Sequence, residues 1–252
     1  MSKPHQKVAL ITGIDGGIGF ALNQAFRDSG YIVLGLGRRS ESSVECDLYI
    51  SCDLATLVSN EDEQSTLFDQ VAQYLFEHNF HLKALINNAA YQIVKPLNEL
   101  SIKEFHSTLQ INVSAPFLLA KLFSQQLREA RGTVVNIGSI HNKLTKPGFC
   151  AYSTSKAALA GLTRALALEL APEVTVNMVS PAATATEMLK DGFRADPEKL
   201  KYLEACHPLG RIADPMEVAK AVLFLCSQDS GFMTGSDLSI DGGIGCRLHD
   251  PV

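Results

Sequence analysis

The side chains best suited to chemistry in this sequence are a tyrosine and a lysine four residues apart, Tyr152 and Lys156. On a helix, positions i and i+4 lie on one face, so the phenol and the ammonium can address the same cleft. A free tyrosine has a pKa of about 10, and a fixed ammonium nearby lowers it towards the range used in proton transfer. The pair therefore predicts acid/base chemistry, although the same spacing also occurs on ordinary, partly exposed helix faces.

A serine upstream adds a second polar group to this candidate site. Ser139 lies thirteen residues before Tyr152, at the end of the apolar run 133–138. Its hydroxyl can hold a carbonyl or alcohol oxygen beside the phenol. The three residues together predict transfer of a proton to or from a substrate oxygen.

A glycine-rich segment near the N-terminus predicts a phosphate site. It follows the short apolar run 7–12 and opens a helical pattern, and its candidate cofactor contacts are Gly13, Asp15, Gly17, Ile18 and Gly19. Glycines let the backbone approach a pyrophosphate closely, and a helix N-terminus offers NH groups and partial positive charge. A glycine-rich turn without a ligand is the alternative, but its position after a first strand favours a nucleotide.

Composition narrows the class of protein. The 252 residues are 46% hydrophobic and 19% charged, with a net charge of -5, as expected for a soluble globular chain with one sizeable core. There is no basic run longer than Arg38-Arg39 and no apolar stretch near the roughly 20 residues of a membrane helix, so neither nucleic acid nor membrane is an expected partner. The N-terminus does not resemble a signal peptide, and the scattered cysteines and histidines predict free thiols in the cytoplasm and no metal site.

Short β-rich runs and helical patterns alternate along the chain and must position these residues. Strands are expected at 7–12, 31–36, 47–51, 84–87, 133–137, 175–179 and 237–240, with helices near 17–29, 61–78, 101–130, 151–171 and 214–228. Continuous apolar strands separated by helices indicate a parallel sheet covered on both faces. We therefore predict an α/β fold, a Rossmann-type doubly wound seven-stranded parallel sheet in a single domain over residues 1–252.

Two segments depart from this alternation. The crossover between Arg39 and Asp47 is too short for a normal helix, and we expect a short turn there. Residues 187–209 contain Gly192, Pro197 and Pro208, which predicts short helices or a flexible substrate lid.

Taken together, these motifs resemble those of the classical short-chain dehydrogenase/reductase family. The resemblance runs from about Lys7 to Gly243 and rests on Thr12-Gly13-x-x-x-Gly17-x-Gly19, Asp53-Leu54, Asn87-Asn88-Ala89-Ala90, Asn112, Ser139, Tyr152-x-x-x-Lys156, Asn177-Met178-Val179-Ser180-Pro181, Pro208-Leu209-Gly210-Arg211 and Asp241-Gly242-Gly243. Two positions depart from the pattern, because Ala90 and Ala182 stand where the family usually has glycine.

The resemblance implies hydride transfer between a nicotinamide cofactor and a substrate carbon, without a metal. It makes Tyr152 the general acid or base, Lys156 the group that lowers its pKa and holds the nicotinamide ribose, Ser139 the group that orients the substrate oxygen, and Asn112 the anchor of a water in a proton relay. Further cofactor contacts are implied for Asp53, Leu54, Asn87, Ala89, Pro181, Thr184 and Thr186. The implied assembly is a homotetramer or a homodimer.

The end of the second strand bears on the choice of cofactor. Gly37 stands where an acidic residue would bind the ribose 2′-hydroxyl, and Arg38 and Arg39 follow it. Guanidinium groups pair well with phosphate. We therefore predict NADP(H), with NAD(H) as the alternative if the two arginines form only a solvated turn.

The substrate is predicted only as a class, a small or medium-sized carbonyl compound or secondary alcohol. Candidate residues lining its cleft are Gln92, His141 and Cys150. Two interpretations of His141 stay open, a hydrogen-bonding partner of the substrate or a polar residue at the rim, while Cys150 is expected to form a small apolar wall. A function of another class, a catalytically idle sensor or scaffold that binds NADP(H), is the remaining alternative.

Overall fold

The computed structural model describes residues 6–194 and 196–248 and has a seven-stranded sheet at its centre. The strands are β1 Lys7–Thr12, β2 Ile32–Gly37, β3 Leu48–Ser51, β4 His81–Asn87, β5 Thr133–Ile137, β6 Thr175–Pro181 and β7 Asp237–Ile240. Their order across the sheet is β3-β2-β1-β4-β5-β6-β7, and each adjacent pair is parallel. The predicted fold class is therefore confirmed.

The inner strands are apolar on both faces because helices cover both sides of the sheet. In β1, Val8 and Leu10 belong to one core cluster, while Ala9 and Ile11 belong to the cluster on the opposite face. Strands buried in this way have continuous apolar runs instead of an alternating pattern.

Ten α-helices connect or follow the strands within the described residues. They are α1 Gly17–Asp28, α2 Leu54–Leu57, α3 Glu61–His78, α4 Ile102–Leu109, α5 Ala115–Leu122, α6 Ser124–Ala130, α7 Cys150–Leu170, α8 Glu187–Phe193, α9 Pro197–Cys206 and α10 Pro215–Leu225. Helices α3, α5, α6 and α7 contribute to the core on one face of the sheet, and α1 and α10 to the core on the other. Among the helices that the structure describes, none is long and apolar enough to cross a lipid bilayer.

The helix predicted over residues 101–130 is wrong as a single element. A π-helical turn, Gln110–Ser114, separates α4 from α5. The helix is interrupted again at Phe123, before α6 begins. Pro116 has no backbone N–H to donate to the preceding turn, which favours an irregular hydrogen-bond pattern at this point. Apolar periodicity across the segment did not reveal either interruption.

Neither irregular segment forms a long helix among its described residues, as the sequence predicts. Residues 38–47 form a series of bends that leads directly from β2 to β3. The predicted lid contains two short helices, α8 and α9, and residue 195 between them lies outside the described residues.

The strand order places a crevice at the carboxyl end of the sheet. From β1 the chain runs outward to β2 and β3, and then returns to place β4 on the opposite side of β1. Ligands of doubly wound folds bind outside the carboxyl ends of the strands at such a reversal. The candidate residues at the ends of β1, β4, β5 and β6 therefore face a common region.

Candidate active site

The glycine loop after β1 forms a cradle too narrow for side chains. Gly13 has φ +64°, and a Cβ at this position would lie 2.9 Å from the Cα of Ala89. A Cβ on Gly17 would lie 2.7 Å from the Cγ2 of Thr186. Because backbone NH groups at the start of α1 are left accessible by this arrangement, the loop fits the pyrophosphate of a dinucleotide.

A side-chain bridge that the sequence analysis missed holds this loop against the end of β4. The Thr12 hydroxyl accepts the backbone N–H groups of Asn88 and Ala89, each at 2.9 Å. The Asn88 amide donates back to the carbonyls of Thr12 at 2.9 Å and Gly13 at 3.0 Å. Thr12 and Asn88 are polar residues within the family motifs named above. Their polar character was the sequence feature that could have predicted a positioning role.

The end of β4 is tied to the next strand through buried amides. Asn87 donates to the side-chain oxygen of Asn136 at 2.8 Å, and Asn136 donates to the Thr163 hydroxyl at 2.9 Å. Asn87 thus lies at the predicted cofactor edge, anchored to β5 and α7. The sequence analysis assigned no role to Asn136, because a single polar residue inside an apolar run does not indicate a particular function.

The predicted adenine contacts lie at the end of β3. Asp53 is the N-cap of α2 and accepts the backbone N–H of Ala55 at 2.9 Å, which fixes the orientation of its exposed carboxylate. Leu54 is buried, so its side chain belongs to the core and only its backbone is available to a cofactor.

The segment after β6 reaches back over the glycine loop. Pro181 ends β6, and Thr184 is buried, with its hydroxyl donating to the carbonyl of Ala182 at 3.2 Å. Thr186 caps α8 by accepting the N–H of Leu189 at 3.3 Å, and its methyl group lies above Gly17. The residue immediately before the predicted lid thus lies against the phosphate loop.

The proposed phosphate-binding arginines, Arg38 and Arg39, are exposed after the end of β2. The carboxylate of Asp15 is near enough to Arg39 for that charge to lower its pKa, and it is held by Ser43 and by the Tyr49 hydroxyl. Both signs of charge therefore occur where the adenosine ribose is expected.

The predicted acid/base residues come together at the start of α7. Tyr152 and Lys156 share one face of that helix, and the Lys156 Nζ lies 5.6 Å from the centre of the Tyr152 ring. The Ser139 side chain lies near enough to the Tyr152 hydroxyl to lower its pKa. The Ser139 hydroxyl also accepts the N–H of His141 at 3.2 Å. Lys156 is buried and donates to the carbonyl of Ile137 at 2.7 Å, which connects the end of β5 to the helix.

Burial controls the protonation of this pair. It raises the pKa of Tyr152 to about 12, although the hydrogen bond with Ser139 acts in the opposite direction. Burial also lowers the pKa of Lys156 to about 8. The sequence predicts that Lys156 lowers the pKa of Tyr152, but the structure shows no such lowering. The Lys156 ammonium points to the Ile137 carbonyl, and burial of the phenol has the larger effect on its pKa.

Asn112 lies in the π-helical turn, and its side chain is committed to other parts of the protein. Its oxygen accepts the N–H of Tyr91 at 2.7 Å, while its amide donates to the Tyr91 carbonyl and to the Ser155 hydroxyl, each at 2.9 Å. Asn112 therefore connects the segment after β4 to α7. This geometry makes it a positioning residue, and its predicted role in holding a water stays a prediction.

Two aromatic rings pack against the Tyr152 ring. His141 stacks on Phe149 with a centroid distance of 4.5 Å and an interplanar angle of 1°, and meets Tyr152 edge-on at 5.7 Å. Burial and the charge of Lys146 lower the pKa of His141, which favours the neutral imidazole. Cys150 and Gln92 are exposed, and Phe149 was missed because an aromatic residue before a helix carries no distinctive pattern.

Sequence comparison shows what this arrangement is related to. A family model described as enoyl-(acyl carrier protein) reductase matches residues 13–245. Cyclopentanol dehydrogenase of Comamonas testosteroni is 33% identical over 253 aligned residues, covering 96% of this chain and 98% of that protein. A 3-oxoacyl-(acyl-carrier-protein) reductase of Haemophilus influenzae is 31% identical over 243 residues, covering 94% of this chain and 98% of the relative.

The chain belongs to the short-chain dehydrogenase/reductase family. It is accordingly an oxidoreductase, and the resemblance stated from its motifs is confirmed.

Solved structures of related dehydrogenases have the same fold. Aldohexose dehydrogenase of Thermoplasma acidophilum in ligand-free form superposes with a TM-score of 0.90 at 28% identity, covering 98% of this chain and 97% of that one. A 4-hydroxyisoleucine dehydrogenase complexed with NADH gives a TM-score of 0.85 at 27% identity over 96% of this chain and 100% of that one. ElxO with NADP bound gives 0.84 at 25% identity with the same coverage. Relatives of this dehydrogenase/reductase thus bind either nicotinamide dinucleotide.

Proposed function

We propose that this protein transfers a hydride and a proton between a nicotinamide dinucleotide and a small or medium-sized carbonyl compound or secondary alcohol. The observation that carries this proposal is the convergence of Ser139, Tyr152 and Lys156 at the carboxyl edge of the sheet, beside a glycine cradle. An acid/base group and a dinucleotide site next to each other are what carbonyl reduction requires.

In the direction of reduction, Tyr152 acts as the acid. A nicotinamide dinucleotide held by the glycine loop would supply the hydride that the carbonyl carbon takes up, while the electron pair of the C=O π bond moves to the oxygen. The Tyr152 hydroxyl gives its proton to that oxygen, so the product is a secondary alcohol and the tyrosine becomes a phenolate. In alcohol oxidation the phenolate accepts the proton and the hydride moves in the opposite direction.

Neighbouring groups prepare this proton transfer. Ser139 can donate a hydrogen bond to the same substrate oxygen and hold it beside the phenol. Lys156, as an ammonium, can donate to ribose hydroxyls of the dinucleotide. Asn112 joins the segment after β4 to the start of α7 through its hydrogen bonds to Tyr91 and Ser155.

The choice between NADP(H) and NAD(H) depends on which charged residues lie near the adenosine ribose. The exposed Arg38 and Arg39 support NADP(H), whereas the Asp15 carboxylate beside them supports NAD(H). The homotetramer, the single domain and the cytoplasmic location stay predictions from the sequence.

The test is a turnover screen of the purified protein with NADH and NADPH against ketones, aldehydes and quinones. Turnover is measured as the loss of absorbance of the reduced cofactor. We expect oxidation of one dinucleotide with at least one carbonyl class. Tight dinucleotide binding without turnover on the whole panel would instead support the idle sensor or scaffold.

A further inference from the structure

A carboxylate from the glycine loop occupies the position that a side chain at the end of β2 would take. Gly37 ends β2, and a Cβ at this residue would overlap the Oδ2 of Asp15 and the hydroxyl of Tyr49. Gly37 therefore leaves room for Asp15, whose carboxylate reaches the end of β2 from a different part of the chain.

Three hydrogen bonds hold this carboxylate in place. Its Oδ1 accepts the backbone N–H of Ser43 at 2.9 Å and the Ser43 hydroxyl at 2.8 Å. Its Oδ2 accepts the Tyr49 hydroxyl at 2.9 Å. Since a carboxylate has about four acceptor positions, one remains for a ligand hydroxyl.

The carboxylate is ionised at neutral pH. Burial raises the pKa of Asp15, but the hydrogen bonds from Ser43 and Tyr49 and the charge of Arg39 outweigh this effect and hold the pKa below its usual 3.8. Burial and the adjacent Asp15 together raise the pKa of Tyr49 to about 12, so this phenol stays a neutral donor.

The position of this charge relates it to the adenosine ribose. The backbone N–H of Gly13 donates to the Leu36 carbonyl at 2.8 Å, which joins the phosphate loop to the end of β2. In a dinucleotide fold the ribose lies between that loop and the end of the second strand, where its 2′-hydroxyl meets an acidic group. A 2′-phosphate would bring about two further negative charges to the same place.

We propose that Asp15 selects NAD(H) against NADP(H) by accepting a hydrogen bond from the ribose 2′-hydroxyl and repelling a 2′-phosphate. Arg39 lies near enough to Asp15 for its charge to lower the pKa of that carboxyl, so the ribose 2′ position is lined by a negative charge as well as by the two arginines. This inference rests on the proposed function only in requiring that the glycine loop binds a dinucleotide.

The test measures binding, so that it does not depend on finding the substrate. Dissociation constants for NADH and NADPH are obtained from nicotinamide fluorescence, and those for ADP-ribose and its 2′-phosphate from calorimetry. The proteins are the wild type, Asp15→Asn and Asp15→Ser, with Asp69→Asn as the control, which neutralises an exposed carboxylate of α3 away from the glycine loop. Circular dichroism checks that each variant is folded.

We expect the wild type to bind NADH about tenfold or more tightly than NADPH, and either neutral variant to shift this ratio towards NADPH by a similar factor. Asp69→Asn should bind both dinucleotides like the wild type and leave the ratio within about threefold of the wild-type value. A wild-type preference for NADPH, an unchanged ratio in both Asp15 variants, or an equal shift in Asp69→Asn would overturn the role of Asp15. Failure to bind either dinucleotide would overturn the proposed function as well.

Discussion

At the scale of single residues, the acid/base centre is defined by burial. Lys156 is buried and Tyr152 is half-buried, and burial disfavours the charged form of each group. The phenol is therefore present as an acid at neutral pH, while the phenolate needed for oxidation is scarce. The two directions of the reaction should consequently respond differently to pH.

We predict that kcat/KM for alcohol oxidation rises with pH, by about tenfold per unit between about pH 6 and about pH 8, because the phenolate fraction increases tenfold per unit below the pKa of Tyr152. Over the same range kcat/KM for carbonyl reduction should stay constant, since Tyr152 remains protonated when its pKa is raised to about 12. Initial rates in both directions measure this. Oxidation independent of pH would contradict the assignment of Tyr152 as the base.

At the scale of elements, helix ends and one irregular turn position the site. The π-helical turn Gln110–Ser114 directs Asn112 towards Tyr91 and Ser155, and thereby connects α4 and α5 to the catalytic helix. π-Helical turns are frequently found at functional sites. The interruption is therefore part of the site's framework.

Helix α10 depends on a capping box at its N-terminus. The Asp214 carboxylate accepts the N–H of Met216 at 2.7 Å, and Glu217 accepts the N–H of Asp214 at 2.8 Å. We predict that Asp214→Ala lowers the free energy of unfolding by about 1 kcal/mol, because an N-cap acceptor is lost. Urea unfolding measures this against Asp69→Ala, which removes an exposed carboxylate from the interior of α3. An equal effect of the two substitutions would contradict the role of the cap.

At the scale of the whole molecule, the fold was largely predictable because it depends on local patterns. Apolar runs and glycine positions located all seven strands, and the family motifs indicated which strand ends meet. The pairing of Asp15 with Tyr49 was not predictable, because the two residues are 34 positions apart and meet only through the parallel sheet. The same holds for the bridge between Thr12 and Asn88.

The pKa of Tyr152 likewise could not be predicted from the sequence. The i, i+4 spacing correctly placed Tyr152 and Lys156 on one face, but it could not show that the Lys156 ammonium would be directed to the Ile137 carbonyl. Contacts of this kind depend on the packed structure, since they join side chains to backbone atoms of another element.

The central claim is that Tyr152 moves the proton while other residues hold the dinucleotide. Its most direct test measures dinucleotide binding and carbonyl reduction in the same preparations of wild type, Tyr152→Phe and Tyr74→Phe, the last on α3 beside His78. We predict that Tyr152→Phe loses about a thousandfold in turnover, as expected for a missing general acid, while binding weakens by less than about tenfold. Tyr74→Phe should resemble the wild type. Turnover by Tyr152→Phe close to that of the wild type would contradict the account.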